Sequence, residues 1–255
     1  RASAASKILG RIGLTKEQFD KMELLKKRDA DSKLDKPAQK PLTEIMQDEL
    51  KGLIVKHTNQ NFRSLPQTAK SYLHEWYAND FDDSHSKYTQ KGEWVEDELI
   101  DFAASKLGLG VQEKNRVRIS DEYFDGECDV DATDLVLDVK APWDKKSLHE
   151  QALSPLDFDY KIQLIVYCHL YKKPKGCVFY GLIDTPGEVN YSTDVYYSDL
   201  PDNERWFAHY VNADPELIEH LKTRVLMCRE YLNWYDEQIK SKLGKFLEPE
   251  TSSKL

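Results

Sequence analysis

The chain has 255 residues, of which 40% are hydrophobic, and it carries a formal net charge of −9. This length suits one medium domain, or one domain with a helical annex, and the apolar content is sufficient for a sizeable core. The net negative charge argues against a protein that coats nucleic acid through bulk electrostatics. No run approaches the roughly 18 apolar residues of a membrane helix and no signal segment is visible, so we expect a soluble, cytoplasmic protein.

The first ninety residues are predicted to be helical. Residues 1–14 form an Ala/Ser-rich helical start, and residues 42–80 show helical spacing of apolar side chains. Between them, residues 16–41 are densely charged, which predicts a solvated helix followed by a flexible connector. We therefore expect a helical N-terminal part over residues 1–90, packed on a core over residues 91–245 and followed by a tail at 246–255.

The pattern of the core is that of an α/β fold. One helix is predicted from Gly92 to Leu107, an apolar helix over residues 159–171, and a long amphipathic helix after Asp214. Short strands are predicted over residues 111–119, 128–132, 135–139, 177–183 and 189–197. This order predicts a central β-sheet flanked by helices.

The chain contains four scattered cysteines: Cys128, Cys168, Cys177 and Cys228. None forms a C-x-x-C pair, so neither a zinc finger nor an iron–sulfur cluster is indicated. We expect these side chains to be small buried hydrophobes.

The segment that indicates a chemical function runs from Asp125 to Lys140 and contains six acidic residues and one lysine. On a strand over residues 135–140, Asp138 and Lys140 share a face because side chains alternate. A short hairpin turn would bring Asp129 beside Asp138. Two carboxylates can hold a hard divalent ion, and a lysine can orient the attacking water. The alternative is an acidic outer strand with a structural Asp–Lys pair, since D-x-K alone is a common pattern.

Two helices add polar groups to this segment. Glu96 falls within the apolar stripe of the helix from Gly92, where a buried carboxylate needs a metal ion or a strong donor beside it. The alternative is a glutamate at the rim of a loosely packed helix. Tyr160, Gln163, Tyr167 and Tyr171 follow one side of the next helix and indicate hydrogen bonding into a site. For Tyr171 we favour a buried tyrosine whose hydroxyl is satisfied.

These residues resemble a known family. The run from Gly126 to Asp129 and the run from Asp138 to Lys140 are similar to the G-x-x-D and (D/E)-x-K core of PD-(D/E)XK nucleases. Gln163 and Tyr167 match the Q-x-x-x-Y motif of the RecB-like branch. Gly92 and Glu96 resemble the G-x-x-x-E helix of phage exonucleases related to lambda exonuclease, the YqaJ group. Further similar segments are residues 1–3, residues 65–72, residues 184–186 and the K-x-x-W pattern that ends at Trp143, for which an apolar packing role is equally good.

The resemblance implies a restriction-endonuclease-like fold and a Mg²⁺-dependent deoxyribonuclease, with Mn²⁺ able to substitute. It implies that Glu96, Asp129 and Asp138 are the metal ligands, that Lys140 is the catalytic lysine, and that Gln163 positions water or phosphate. Arg1 and Ser3 would lie near a terminal 5′-phosphate, with Lys70 and Tyr167 as further DNA-contacting residues.

Relatives of this kind degrade linear double-stranded DNA from the 5′ end in phage-type recombination. They work with a single-strand annealing protein and often form a ring-shaped trimer, so the resemblance implies a homo-oligomer in the bacterial cytoplasm. Two alternatives stay open. The chain could be an endonuclease or nickase that uses the same ligands, or a non-catalytic DNA-binding accessory protein.

Overall fold

The computed structural model describes residues 1–10, 14, 16–33, 40–58, 61–79, 87–190 and 193–244. The chain divides into two compact units, one formed by Arg1–Lys7 with Asp80–Thr223 and the other by Ile8–Asn79 with Arg224–Leu255. The expected tail at residues 246–255 lies outside the described residues, and so does part of the charged connector.

The chain forms helices along most of its described length. They are α1 (Ala5–Ile8), α2 (Lys16–Ser32), α3 (Glu44–Thr58), α4 (Gln67–Ala78), α5 (Lys87–Leu107), α6 (Lys145–Leu153), α7 (Phe158–Tyr171), α8 (Gly187–Asn190) and α9 (Pro215–Lys242). Three short 3₁₀ turns lie at Ala2–Ala4, Phe62–Ser64 and Asp202–Glu204.

The strands of the described residues belong to the first unit. They are β1 (Ile119–Ser120), β2 (Asp125–Gly126), β3 (Val130–Asp131), β4 (Leu135–Lys140), β5 (Lys175–Gly181) and β6 (Trp206–Asn212). Strands β1 and β2 pair antiparallel, and the other four form a mixed sheet in the order β3-β4-β5-β6. The β4–β5 pair is parallel, while the outer two pairs are antiparallel.

The two faces of this sheet are covered by different helices. On one face, Leu135, Leu137 and Val139 of β4 pack with apolar residues of α5 in a buried core. The other face carries Val136, Asp138 and Lys140 and packs against α7. Because β4 is buried on both faces, its side chains read as a nearly continuous apolar run interrupted at two charged positions.

Aspartate side chains cap the N-termini of helices α6 and α7. The Asp144 carboxylate accepts from the backbone N–H of Ser147 (2.7 Å) at the start of α6. The Asp157 carboxylate accepts from the N–H of Asp159 (2.8 Å) at the start of α7. An aspartate in this position satisfies backbone donors that the first turn of a helix leaves free.

The second unit has an apolar core of its own. Met22 and Leu25 of α2 are fully buried and pack with Leu42 and Leu50. The expectation of a solvated helix in the charged segment is therefore wrong for the face of α2 that carries Met22 and Leu25, whereas Leu24 of the same helix is exposed. In the same unit, the His74 ring of α4 stacks on Tyr235 of α9 with centroids 4.2 Å apart.

Two predicted strands are corrected by the structure. Residues 111–118 are irregular: the backbone N–H of Asn115 bonds the Asp129 carbonyl (2.7 Å) and its side chain bonds the carbonyls of Val117 and Cys128 (3.2 and 2.9 Å), but no strand forms there. Residues 187–190 form α8 rather than the start of a strand, and Val195 makes only an isolated bridge with Thr185. Strand β6 and helix α6 were not predicted.

All four cysteines are reduced and buried, which confirms the expectation of small hydrophobes. Tyr171 is buried too, and its hydroxyl donates to the Val117 carbonyl (2.6 Å), as expected for a structural tyrosine. Among the described helices, none is long and apolar enough to cross a bilayer.

Candidate active site

The sheet brings Asp129, Asp138 and Lys140 together on the face that α7 covers. In the β3–β4 hairpin Val130 pairs with Leu137, so Asp129 stands beside Asp138 at the next position of the register. The Asp129 carboxylate accepts from the backbone N–H of Val139 (2.7 Å). Lys140 forms an ion pair with Asp138, and its Nζ lies 4.9 Å from the centre of the Tyr160 ring. The two carboxylates and the lysine therefore form one contiguous group.

Burial removes this group from solvent and shifts the pKa values of Asp129 and Lys140. Only 4% of Asp138 is exposed. Burial, and then the charge of Asp138, raise the pKa of Asp129 to about 7. Burial lowers the pKa of Lys140, but the charges of Asp138 and Asp129 outweigh that effect and raise it above its ordinary value. Two carboxylates side by side thus compete for one cation, which is the situation that a divalent ion relieves.

Glu96 lies on α5 and is half-buried, with Lys114 as its ion-pair partner. The strong donor expected beside this carboxylate is therefore present, and it comes from the loop before β1. The negative charge of Glu96 contributes to the raised pKa of Asp129, so the two carboxylates are within electrostatic range of each other.

Gln163 and Tyr167 lie one turn apart on α7 and bond each other, with the amide of Gln163 donating to the Tyr167 hydroxyl (2.8 Å). Burial raises the pKa of Tyr167, and the charges of Asp138 and Asp129 add to that effect. The hydroxyl is therefore a neutral group at physiological pH, oriented beside the acidic group.

The N-terminal segment packs close to Tyr167. A Cβ at Gly126 would lie 2.7 Å from the Tyr167 ring and 3.0 Å from Ala2, so this position requires glycine. The main-chain nitrogen of Arg1 is 3.2 Å from the Asp125 carboxylate, and Ser3 is exposed. Arg1 and Ser3 therefore lie in the same unit as the acidic group, on the Tyr167 side.

Lys70 belongs to the second unit. Its Nζ donates to the Arg63 carbonyl (2.8 Å) and lies 5.9 Å from the centre of the Tyr231 ring. A DNA-binding role for this residue stays a prediction.

The residues fit a divalent cation through Asp129 and Asp138. Asp138 Oδ2 is buried and, apart from its ion pair with Lys140, has no hydrogen-bond partner. Carboxylate oxygens are the donors that Mg²⁺ prefers. Among the described residues, no group of three or more Asp, Glu, His or Cys side chains converges as a ready-made metal site. Glu96 would have to exchange Lys114 for the ion to become the third ligand.

Sequence reasoning missed two lysines, Lys114 beside Glu96 and Lys91 beside the segment that follows Lys140. Lys114 was predicted to lie in a strand, and only the structure shows that it forms an ion pair with Glu96. Lys91 is 1% exposed and donates to the carbonyls of Pro142 and Trp143 (2.7 and 2.8 Å). Lys91 lay just before the helix predicted from Gly92, whereas α5 begins at Lys87, and a charged residue at that position carries no signal that it will be buried.

A mixed four-stranded sheet, flanked by helices and carrying an Asp-x-Lys strand beside a second aspartate, defines a restriction-endonuclease-like fold. Solved structures share it. A phage-related exonuclease from Haemophilus somnus 129PT matches 94% of this chain and 95% of its own, with 21% identity and a TM-score of 0.62. The alkaline exonuclease LHK-Exo from Laribacter hongkongensis matches over 69% of this chain and 86% of its own, with 14% identity and a TM-score of 0.51.

The structure of LHK-Exo in complex with dAMP is similar to this chain to the same degree, with a TM-score of 0.51. These likenesses confirm the predicted fold class. No protein-family model matches the chain, and no curated protein matches its sequence.

Proposed function

We propose that this protein is a metal-dependent DNA exonuclease of the PD-(D/E)XK class. The observation that carries the proposal is the buried group of Asp129, Asp138 and Lys140 on one face of the sheet. A purely structural strand gains little from two adjacent buried carboxylates, which destabilise the fold unless a cation joins them. The shared fold with phage-related and alkaline exonucleases supports the choice of an exonuclease.

In this proposal Asp129 and Asp138 would hold a Mg²⁺ ion, with Mn²⁺ able to substitute. When bound, the ion would lower the pKa of a water molecule and neutralise charge on the phosphate. Lys140 orients the attacking water and stabilises negative charge that develops on the phosphoryl oxygens. Glu96 would be the third residue to hold the ion, in place of its ion pair with Lys114.

Gln163 is proposed to position the water or the phosphate. Its amide nitrogen already donates to Tyr167, which fixes the direction of its carbonyl oxygen, an acceptor for water, and of its second N–H, a donor to phosphate. Arg1 and Ser3, on the Tyr167 side of the group, are proposed to bind a terminal 5′-phosphate, and Lys70 and Tyr167 to contact DNA. Action from the 5′ end, an annealing partner, a homo-oligomer and a role in phage-type recombination in the bacterial cytoplasm are parts of the proposal that come from the resemblance.

The test compares linear and closed circular duplex DNA with Mg²⁺. An exonuclease releases mononucleotides from the linear duplex and leaves closed circles intact. Nicked circles would indicate the endonuclease alternative, and DNA binding without cleavage in Mg²⁺ or Mn²⁺ would indicate the accessory protein. If label at the 5′ end is released before label at the 3′ end, the enzyme degrades DNA from the 5′ end.

A matched pair of lysine variants shows whether the site is responsible. Lys140→Ala should abolish cleavage, whereas Lys146→Ala, at an exposed lysine of α6, should leave it unchanged. Equal activity of wild type and Lys140→Ala would overturn the proposal.

A further inference from the structure

A cavity of about 510 Å³ opens beside Lys140 in the first unit. Its volume is within the range of small-molecule sites, about 300–1,000 Å³. The rings of Tyr88, Trp143, Tyr160 and Tyr180 contribute to its lining, with Lys140 at one side. Flat aromatic rings and one cation from the candidate active site thus share a single concave space.

Two aromatic rings of the cavity lining, Tyr88 and Trp143, have a lysine beside them. The Tyr88 and Trp143 rings meet edge to face with centroids 5.4 Å apart. The Lys87 Nζ lies 4.6 Å from the Trp143 ring centre and 5.1 Å from that of Tyr88. Tyr88 is 59% exposed, so its ring is accessible to a ligand.

The wall that carries Trp143 is held in place by a buried lysine. Lys91 Nζ donates to the carbonyls of Pro142 and Trp143 (2.7 and 2.8 Å), and it lies 5.6 Å from the Trp143 ring centre. Burying a lysine is costly unless its donors are used. The backbone that follows Lys140 is therefore fixed before any ligand binds, which reduces the entropy lost on binding.

The charge of the lining selects among ligands. Although the cavity adjoins the acidic group, the described residues that line it include no carboxylate. Lys140 and Trp143 are three residues apart, so their backbones are separated by at most about 11 Å. An anion at Lys140 and a flat ring at Trp143 are therefore close enough to belong to one ligand. Base–aromatic stacking and cation–π contacts are the forces by which proteins hold nucleotides.

We propose that this cavity binds the base of the nucleotide whose phosphate is presented to Lys140. Tyr88 and Trp143 receive the base, Lys87 adds positive charge beside these two rings, and Lys91 is a positioning residue that holds the Trp143 backbone. The inference rests on the proposed function, because it assigns the base subsite of the same reaction centre. Stacking tolerates every base, so the subsite serves a nuclease without sequence preference.

The experiment measures equilibrium binding to the full-length chain by isothermal titration calorimetry with Mg²⁺ present. The probes are deoxyadenosine 5′-monophosphate and 2-deoxyribose 5-phosphate, which differ only in the base. Neither contains a phosphodiester, so binding is measured without turnover. The nucleotide should bind about 5- to 150-fold more tightly than the sugar phosphate, the range expected of one stacked base.

Variants locate the effect. Trp143→Ala should remove most of that difference, Trp143→Phe should keep it, and Tyr88→Ala should reduce it. Tyr88 is largely exposed, so its variant should fold even if Trp143→Ala does not. Trp94→Ala is the matched control, because Trp94 is also exposed on α5 and does not line the cavity.

Equal affinity of wild type for both probes, or an undiminished difference in Trp143→Ala and Tyr88→Ala, would overturn the inference. Nuclease activity without a base contribution removes this subsite and leaves the proposed function standing. If the base increases affinity but the chain cleaves no DNA, the proposed function is overturned and the base subsite stands.

Discussion

Asp129 is bonded to the strand that carries the other two members of the candidate active site: its carboxylate accepts from the backbone N–H of Val139 at 2.7 Å. Val139 lies between Asp138 and Lys140, so one hydrogen bond sets the position of Asp129 relative to both. The donor of this hydrogen bond is a backbone N–H, so the bond forms without any metal ion. The carboxylates are therefore placed by folding, and binding of a cation needs little rearrangement of this pair.

Removal of Lys140 is expected to affect activity and stability separately. Lys140→Ala should slow DNA hydrolysis at least about 100-fold, because the water loses its orienting group. It also leaves Asp138 buried beside Asp129 without a cation, so the free energy of unfolding should fall by about 3 kcal/mol. Urea denaturation and a nuclease assay measure the two effects.

The double variant Lys140→Ala, Asp138→Asn provides the control for this pair. It should regain most of the lost stability and none of the activity, since the buried charge is gone. A double variant as unstable as Lys140→Ala would contradict the importance of the ion pair.

The raised pKa of Asp129 predicts a pH-dependent stability. Burial and the charge of Asp138 raise this pKa to about 7. A carboxyl group whose pKa is raised by folding contributes stability that is fully present below its unfolded pKa, about 4, and is lost as pH rises through about 7. The thermal midpoint of the metal-free chain should therefore fall between about pH 5 and about pH 8.

Mg²⁺ should reverse that loss, because it binds the ionised carboxylate. Its addition should raise the thermal midpoint more at about pH 8 than at about pH 5. Differential scanning fluorimetry measures the shift, and Asp129→Asn should make it small at both values. A shift of equal size at the two pH values in wild type would argue against Asp129 as a ligand.

The ion pair between Lys114 and Glu96 predicts competition with metal. Both side chains are partly exposed, so the pair is worth less than about 1 kcal/mol. Lys114→Met should release Glu96 and tighten Mn²⁺ binding up to about fivefold, whereas Lys114→Arg should not. Calorimetric titration with Mn²⁺ tests this. Weaker binding by Lys114→Met would mean that Lys114 supports the site instead of competing for it.

Gly126 is expected to tolerate no side chain. In Gly126→Ala the new Cβ would lie 2.7 Å from the buried Tyr167 ring, closer than non-bonded carbon atoms can be. We expect a loss of about 1–3 kcal/mol in the free energy of unfolding. Gly52→Ala is the control: nothing lies within 4 Å of its Cβ position in helix α3, so it should stabilise the chain slightly. Similar changes at both positions would contradict the close approach at Tyr167.

The sequence by itself determined the arrangement of β4. Its alternation puts Asp138 and Lys140 on one face, and the short connection at residues 132–135 sets the hairpin that brings Asp129 alongside. Helix α7 was predicted equally well, at residues 159–171, because its run of apolar residues is long enough for a helix. These features depend on periodicity and on neighbours a few residues away, which a single sequence contains.

Only the tertiary structure decided which charges meet. Lys114 reaches Glu96 across 18 residues of chain, and Lys91 reaches the Pro142 carbonyl across 51. Strand β6 has apolar residues on both faces, so its role became clear only through its pairing with β5. The physical reason is that burial cost and electrostatic pairing depend on which distant segments pack together, and local periodicity contains no record of that.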